Sequence, residues 1–590
     1  VSATTTGAPA FVDQPARARW WSSPLLTAVA GLAIASVVIG ICAWPMIHER
    51  KFLLGDWYQH MWYVWHQEAS LRAHHLPSLY AQDSSGVFDP HYAFYAGTLY
   101  AITAAAALVI GHEPAFIASW IVTLAMAYGA WFWLARQAGL GPWASHAPGI
   151  LFVTSTWCLT SIYALASWPQ TIAFAALVLI LAASFSILRA DQLRPLPALA
   201  LAVGVLLYTG SHNLTLVWGT TVMVVVGAAA FALIAPLRAL VTRRGVLRLA
   251  AIAIPATLVN AWWLVPAAAY QSHTVIGADA QRAYFLLKSG MSLVTPEHAL
   301  TFTRTRADPL VPRYALQMPM LAIVWTAIGT ILMWSRRSSA WFRTAMLMLV
   351  VIVSTWVLMT NSSLIIALPR PYDMLQAGYR LQSYTQLALA CAVIALLVLM
   401  ARGTSRQRAW SWALVAVLIV SVVQARAQIH DPLTPPLKGP LAAAYPYYNI
   451  NINQAGTKDY VDARLPEYAP DRQFTRALFS PRVAERTDRA EVTINAQPGE
   501  YVWSNLKASP DLVKVTGARF IARDPGGNAF FQVARNAKPG AAHIVVTSAH
   551  PWPVMLGRLL TLLGVLGLAA IAVAVSAGAW RSRAHRRPSP

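Results

Sequence analysis

A short polar stretch, Gly55-Asp56-Trp57-Tyr58-Gln59-His60, follows the first long apolar run and opens a segment rich in Trp, Tyr and His that ends near His75. Asp56 is the acid best placed there to do chemistry, since a carboxylate within hydrogen-bond reach of a hydroxyl can act as its general base. Its plainer role is to cap the helix that begins beside it. Asp83, Asp89 and His91 come later in the same stretch and offer substitutes or assistants, although each is also an ordinary turn residue. Ser211-His212-Asn213 falls at the end of an apolar hairpin, where capping is the bland explanation. Two arginines complete the set. Pro369-Arg370-Pro371-Tyr372 and Gly378-Tyr379-Arg380-Leu381 precede a late apolar run. A guanidinium there suits a phosphate, which it binds bidentately, or else a lipid headgroup or Asp373.

The elements that must position these residues are membrane helices. Of 590 residues, 57% are hydrophobic and 12% charged, with a mean hydropathy of +0.48. A soluble domain carries roughly twice that charge. Apolar runs recur at the length a helix needs to cross hydrocarbon, clearly at Pro24–Met46, Ala115–Ala135 and Leu559–Ala579. Thr171–Leu188 and Leu387–Met400 are shorter but equally uncharged. The alternating segments of a β-barrel do not dominate. Cys42, Cys158 and Cys391 all fall in apolar runs and suggest neither a disulfide framework nor a metal set. The first apolar segment reads as a retained anchor.

The net charge of +22, from 45 basic and 23 acidic residues, sits in short loops between apolar runs. That is the pattern of cytoplasmic loops and not of a nucleic-acid-binding face. The basic clusters run from Arg17 and Arg19 through Arg136, Arg189 and Arg194, Arg238 to Arg248, Arg336 to Arg343 and Arg402 to Arg408, to the tail at Arg581–Arg587. The outward connections then lie around Tyr163–Gln170, Thr209–Asn213, Tyr270–Met318 and Thr360–Ser383. Parity allows only one of Phe94–Gly111 and Ala115–Ala135 to cross, and the first is expected to re-enter or lie in the interface.

Five regions follow: a cytoplasmic tail at 1–23, a bundle at 24–427 with a first external loop at 47–93, an extracytoplasmic domain at 428–552, a last helix at 553–580 and a basic tail at 581–590. The fold class is mainly α, a bundle of about twelve to thirteen spans with a β-rich domain before the last helix. In that domain, β-like runs at Glu491–Ala496, Arg519–Ala522, Phe530–Val533 and His543–Thr547 alternate with Pro-Gly and Gly-Gly turns. In the first loop, Met61, Trp62, Trp65 and Leu71 share a helical face, as in a helix lying at the membrane interface.

The ordered set of Asp56, the Tyr-rich run Phe88–Leu99, Ser211-His212-Asn213, Trp262-Trp263-Leu264-Val265-Pro266 and Gly378-Tyr379-Arg380 resembles a family of bacterial multi-spanning membrane proteins. The family is labelled as related to 6-pyruvoyl-tetrahydropterin synthase, and it in turn resembles glycosyltransferases of the GT-C fold. The resemblance covers roughly Leu54–Met400. It implies a sugar donor on polyprenyl phosphate, a glycan, lipid or protein acceptor of the cell envelope, and a site on the outer side of the bacterial inner membrane. Asp56 would be the base of an inverting transfer. Arg380, with Arg370, would hold the departing phosphate. His60, Asp89, His91, His212, Asn213 and Tyr379 would contact sugar or phosphate. Asp56 lacks an acidic neighbour of the Asp-X-Asp kind, so neither metal nor cofactor is expected. The expected partners are the lipid-linked donor, the acceptor and membrane lipids, with no nucleic acid.

Two other classes compete. A transporter or flippase of lipid-linked saccharides would place ionisable groups at mid-membrane depth, often in repeated halves. The spans here are nearly free of charge. A non-catalytic envelope assembly protein would use the β-rich domain to bind glycan.

Overall fold

The computed structural model describes residues 24–49, 57–83, 86–95, 97–163, 167–275, 319–374, 378–430, 461–467, 474–479 and 488–584. Asp56, the side chain of Tyr379, both terminal tails and most of the connection after Tyr270 lie outside the described residues.

The helices run as α1 (Pro24–Trp44), α2 (Trp57–Arg72), α3 (His91–Phe94), α4 (Gly97–Ile110), α5 (His112–Gln137), α6 (Ala147–Val153), α7 (Thr156–Tyr163), α8 (Trp168–Arg189), α9 (Pro195–Thr209) and α10 (Asn213–Leu233). After α11 (Ala235–Leu240) come α12 (Arg243–Leu258), α13 (Ala261–Tyr270), α14 (Met320–Leu332), α15 (Ala340–Thr360), α16 (Ser362–Ile366), α17 (Gln382–Ala401), α18 (Ser405–His430) and α19 (Trp552–Ala584). Uncharged runs become helices because backbone in hydrocarbon must satisfy its own polar groups.

Among the described residues, eight helices are long and apolar enough to cross a membrane: α1, α5, α8, α10, α15, α17, α18 and α19. The bent pair α12–α13 makes nine. The larger number expected from sequence differs by the shorter apolar helices. These are α9, α14 and the segment Ala144–Val153, each of 10–17 residues, while α4, in the same range, is the segment expected to re-enter or lie in the interface. At 1.5 Å per residue α4 is about 21 Å long, short of the roughly 30 Å of hydrocarbon.

The bend between α12 and α13 is 73°, and it forms around a polar staple. Asn260 is fully buried, and its Nδ2 donates to the Leu206 carbonyl at 2.9 Å and to Thr209 Oγ1 at 2.6 Å. Gly210 allows this approach, since a Cβ there would lie 2.7 Å from Asn260 Oδ1. The last helix locks onto the same break. A Cβ on Gly564 would lie 2.6 Å from the Val259 nitrogen and 2.7 Å from the Pro255 carbonyl. Small residues that let helix backbones touch are a common means of packing in membranes.

Among the described residues the strands are β1 (Ala81–Asp83), β2 (Gly86–Asp89), β3 (Thr475–Ala477), β4 (Arg489–Ile494), β5 (Tyr501–Lys507), β6 (Val513–Thr516), β7 (Ala518–Arg523), β8 (Asn528–Val533) and β9 (Ala542–Ser548). All four β-like runs of the sequence are strands (β4, β7, β8 and β9). They form a three-stranded sheet, β4-β9-β6, and a six-stranded one ordered β1-β2-β5-β8-β7 with β3 also on β5. The sequence treats the first loop and the late domain as separate pieces, but the structure joins them. β2 pairs in parallel with β5, Val87 opposite Leu506. Leu79, Tyr80, Val87 and Phe88 share one apolar core with Trp263, Val502, Phe531 and Ile544.

One expectation is overturned. α2 does not lie on an interface with one face wet. His60, His66, Gln67, Glu68 and Ser70 are as buried as Met61, Trp62 and Val64. Gln67 meets protein and not water, exchanging hydrogen bonds with the backbone of Ser78 at 3.1 and 3.2 Å.

The bundle has two chemically different ends. At one, arginines close helix C-termini, whose last carbonyls have no partner within the helix. Arg189 donates to the Gln137 carbonyl at 2.6 Å, Arg248 to Ala190 at 2.8 Å and Arg343 to Leu233 at 2.9 Å. The candidate residues lie at the opposite ends of these helices. α8 separates Trp168 from Arg189 by about 33 Å of helix.

Candidate functional site

The polar end of the bundle is assembled around the start of α8. His60, on the first turn of α2, sets its Nδ1 2.6 Å from the Tyr100 hydroxyl of α4. Its ring lies 6.1 Å from Trp168, the first residue of α8, and 6.2 Å from Tyr95, which it faces in parallel. Two residues along α8, Gln170 accepts a hydrogen bond from Arg380 Nη1 at 3.0 Å. The α8 N-terminus therefore touches His60 on one side and Arg380 on the other.

His91 opens α3, just after β2 ends at Asp89. Gln59 Nε2 donates to the Tyr63 hydroxyl at 2.8 Å, and the same hydroxyl hydrogen-bonds His91 Nδ1 at 2.9 Å. The Tyr63 and His91 rings also stack, with centroids 3.9 Å apart. His212 is the N-cap of α10: its Nδ1 accepts from the Thr215 amide at 3.1 Å, so its ring hydrogen rests on Nε2. Tyr95 packs edge-on to both His91 and His212, at 5.3 and 5.9 Å. Asn213 Nδ2 donates to the Phe94 carbonyl at 2.7 Å, which ties the loop after α3 to α10.

Electrostatics bind the same residues together. Burial, and then the charge of His60, holds His91 well below the usual imidazole range. His212 is held down by burial first, then by Arg380 and His60. Burial pushes His66, deeper in α2, down to about 4. Near neutral pH these imidazoles are uncharged, each able to donate and accept one hydrogen bond. Arg380 brings the positive charge among them. The set can hold an anionic group at the guanidinium while neutral rings orient hydroxyls beside it.

Of the residues singled out from sequence, His60, His91, His212 and Arg380 converge here, and Asn213 braces them through the backbone. Asp89 is buried at the end of β2 and raises the phenol of Tyr92 by its charge, after burial. Arg370 is exposed, on the turn before Arg380. Asp56 lies outside the described residues, immediately before Trp57, whose indole stacks on Trp120 at 5.6 Å. Among the described residues no three His, Cys, Asp or Glu side chains gather as a metal-holding group.

The sequence passes over Tyr63, Tyr95, Tyr100, Trp168 and Gln170, all of which contact the histidines or Arg380. Gln170 carries the one signal that could have found it, a polar amide at the start of an otherwise uncharged span. Compared with known proteins, the chain matches no family model and no curated sequence.

Proposed function

We propose that the chain is a membrane glycosyltransferase that takes a sugar from a polyprenyl-phosphate donor and passes it, with inversion, to a cell-envelope acceptor on the extracytoplasmic side. Arg380 receives the phosphate and stabilises the charge that grows on it as the glycosidic bond breaks. Asp56 takes the proton from the acceptor hydroxyl. His60 and His212 orient sugar hydroxyls, and His91 holds Tyr63 in place. The acceptor oxygen bonds to the anomeric carbon, and the electron pair of the broken bond leaves on polyprenyl phosphate.

The observation that carries this reading is the bridge at the start of α8. The helix that begins one residue after Asp56 places His60 against Trp168, and Arg380 meets Gln170 two residues further on. The arginine caps at the other end of the bundle favour an outward-facing site through the positive-inside rule. The resemblance to GT-C enzymes, carried by the order of these motifs along the chain, supports the same reading.

The test uses purified full-length protein in nanodiscs with a panel of radiolabelled polyprenyl-phosphate sugars. Wild-type protein should release polyprenyl phosphate and label an envelope acceptor. Asp56→Asn should keep its unfolding temperature and lose transfer by about a thousandfold or more. A folded variant that transfers at the wild-type rate rejects Asp56 as the base.

One feature favours a transporter instead, the broken pair α12–α13, because discontinuous helices form substrate sites in many carriers. Movement of a fluorescent lipid-linked saccharide across proteoliposomes, without any transfer, would select that reading.

A further inference from the structure

A polar cavity of about 240 Å³ opens where the first loop, the late sheet and the last helix meet. His75, Tyr80, Asp488, Ser548, His550 and Arg558 supply its polar lining. Arg558 is unusual by position. It lies on the second turn of α19, inside an apolar span, at the end of the bundle away from the arginine caps. Among the described residues no carboxylate pairs with it. A cation held at that depth requires an anion to offset the cost of leaving water.

Charge is arranged in depth. Arg558 belongs to the membrane helix, whereas Asp488 precedes β4 in the domain outside the bundle. The surroundings are those of a bilayer surface. Leu76, on the cavity rim, is 87% exposed, and Trp552, at the start of α19, is 70% exposed. Met555 and Leu562 are exposed on the helical face that carries Arg558, one turn below and above it. Apolar chains can lie along that face while a headgroup enters the cavity.

We infer that this cavity binds one zwitterionic phospholipid, its phosphodiester on Arg558 and its terminal ammonium on Asp488. In a bilayer the phosphate sits nearer the hydrocarbon than the amine, which matches the order of the two charges. His75, Ser548 and His550 line the space between. The inference stands apart from the transferase reading, since none of these residues belongs to the cluster at the start of α8.

The experiment places purified full-length protein in phosphatidylcholine nanodiscs doped with a photoactivatable phosphatidylethanolamine and maps the label by peptide mass spectrometry. Label should fall on residues 75–80 and 548–558. Arg558→Gln should cut it about tenfold, and Arg558→Lys by less, because a charged hydrogen bond to phosphate is lost in the first and kept in the second. Asp488→Asn should leave total lipid label intact and abolish the preference for phosphatidylethanolamine over phosphatidylglycerol. Unchanged labelling in Arg558→Gln overturns the site, and an unchanged headgroup preference in Asp488→Asn overturns the ammonium contact. Inorganic phosphate that blocks labelling as well as unlabelled lipid does would overturn the choice of a lipid. Both variants lie on exposed positions, and an unchanged unfolding temperature is the control for each.

Discussion

The two ends of the bundle both hold arginines, and what those arginines touch sets them apart. At one end Arg189, Arg248 and Arg343 donate to peptide carbonyls that close helices. Those acceptors are fixed in the backbone, and the helix dipole favours the charge. At the other end Arg380 donates to the side-chain amide of Gln170, beside histidines that are kept neutral. A side-chain amide can rotate away; a helix carbonyl cannot. Charge alone therefore does not mark a site in this protein. An exchangeable partner does.

The largest effect should come from breaking the exchangeable contact. Arg380→Gln is expected to lower kcat/KM for transfer by about a hundredfold to a thousandfold, with the unfolding temperature unchanged. Arg380→Lys should recover part of the loss. An equal fall in stability and activity would place Arg380 with the structural arginines and erase the contrast.

Acid should act on the polar end next. The folded values of His66, His91 and His212 lie below the ordinary 6.5, so the folded state binds fewer protons than the unfolded one. Their stabilising effect is complete above pH 6.5 and is lost as pH falls below it, by up to about 1.4 kcal/mol per pH unit for each histidine. Glu500, held low by its hydrogen bonds to Thr475 and the Gln497 amide, loses its own contribution only below its ordinary 4.5. Unfolding temperatures in detergent should therefore drop between pH 6.5 and 4.5. A flat profile there would show that the histidines are solvated and not buried.

The smallest effect belongs to the arginine end. Arg343→Gln removes a cap from the carbonyl of Leu233 and should cost about 0.3–1 kcal/mol in stability, with transfer unaffected. Loss of transfer comparable to that of Arg380→Gln would mean that the two ends are not distinct in function.

Much of this was legible in the sequence, for local reasons. Uncharged runs mark helices because hydrocarbon admits little else, and turns at Pro525-Gly526-Gly527 and Pro539-Gly540 separate the late strands. His60, His91, His212 and Arg380 stood out because polar groups beside apolar runs are costly. What escaped is long-range. Nothing near Val87 announces a partner at Leu506, and Asp89 and His91 read as turn residues when that strand is unseen. α2 read as interfacial because its apolar face is visible in the sequence, while the neighbours that bury Gln67 and Glu68 are not. Tyr95, Tyr100 and Trp168 look like membrane-interface anchors until their histidine neighbours are known. The breaks around Asn260 and Gly210 depend on contacts between distant helices, which the local sequence does not show.

The parallel pairing of β2 with β5 has a consequence for how the protein comes to be made. Val87 leaves the ribosome about four hundred residues before Leu506 does, at a synthesis rate of roughly 5–20 residues per second. Through that interval every early helix can insert, yet the strand that leads into His91 has only the three-residue β1 beside it. The cluster at the start of α8 is therefore completed only when the distal sheet is translated and docks. A chain cut just after α18 would retain most of its membrane anchorage and still leave β2 without its partner.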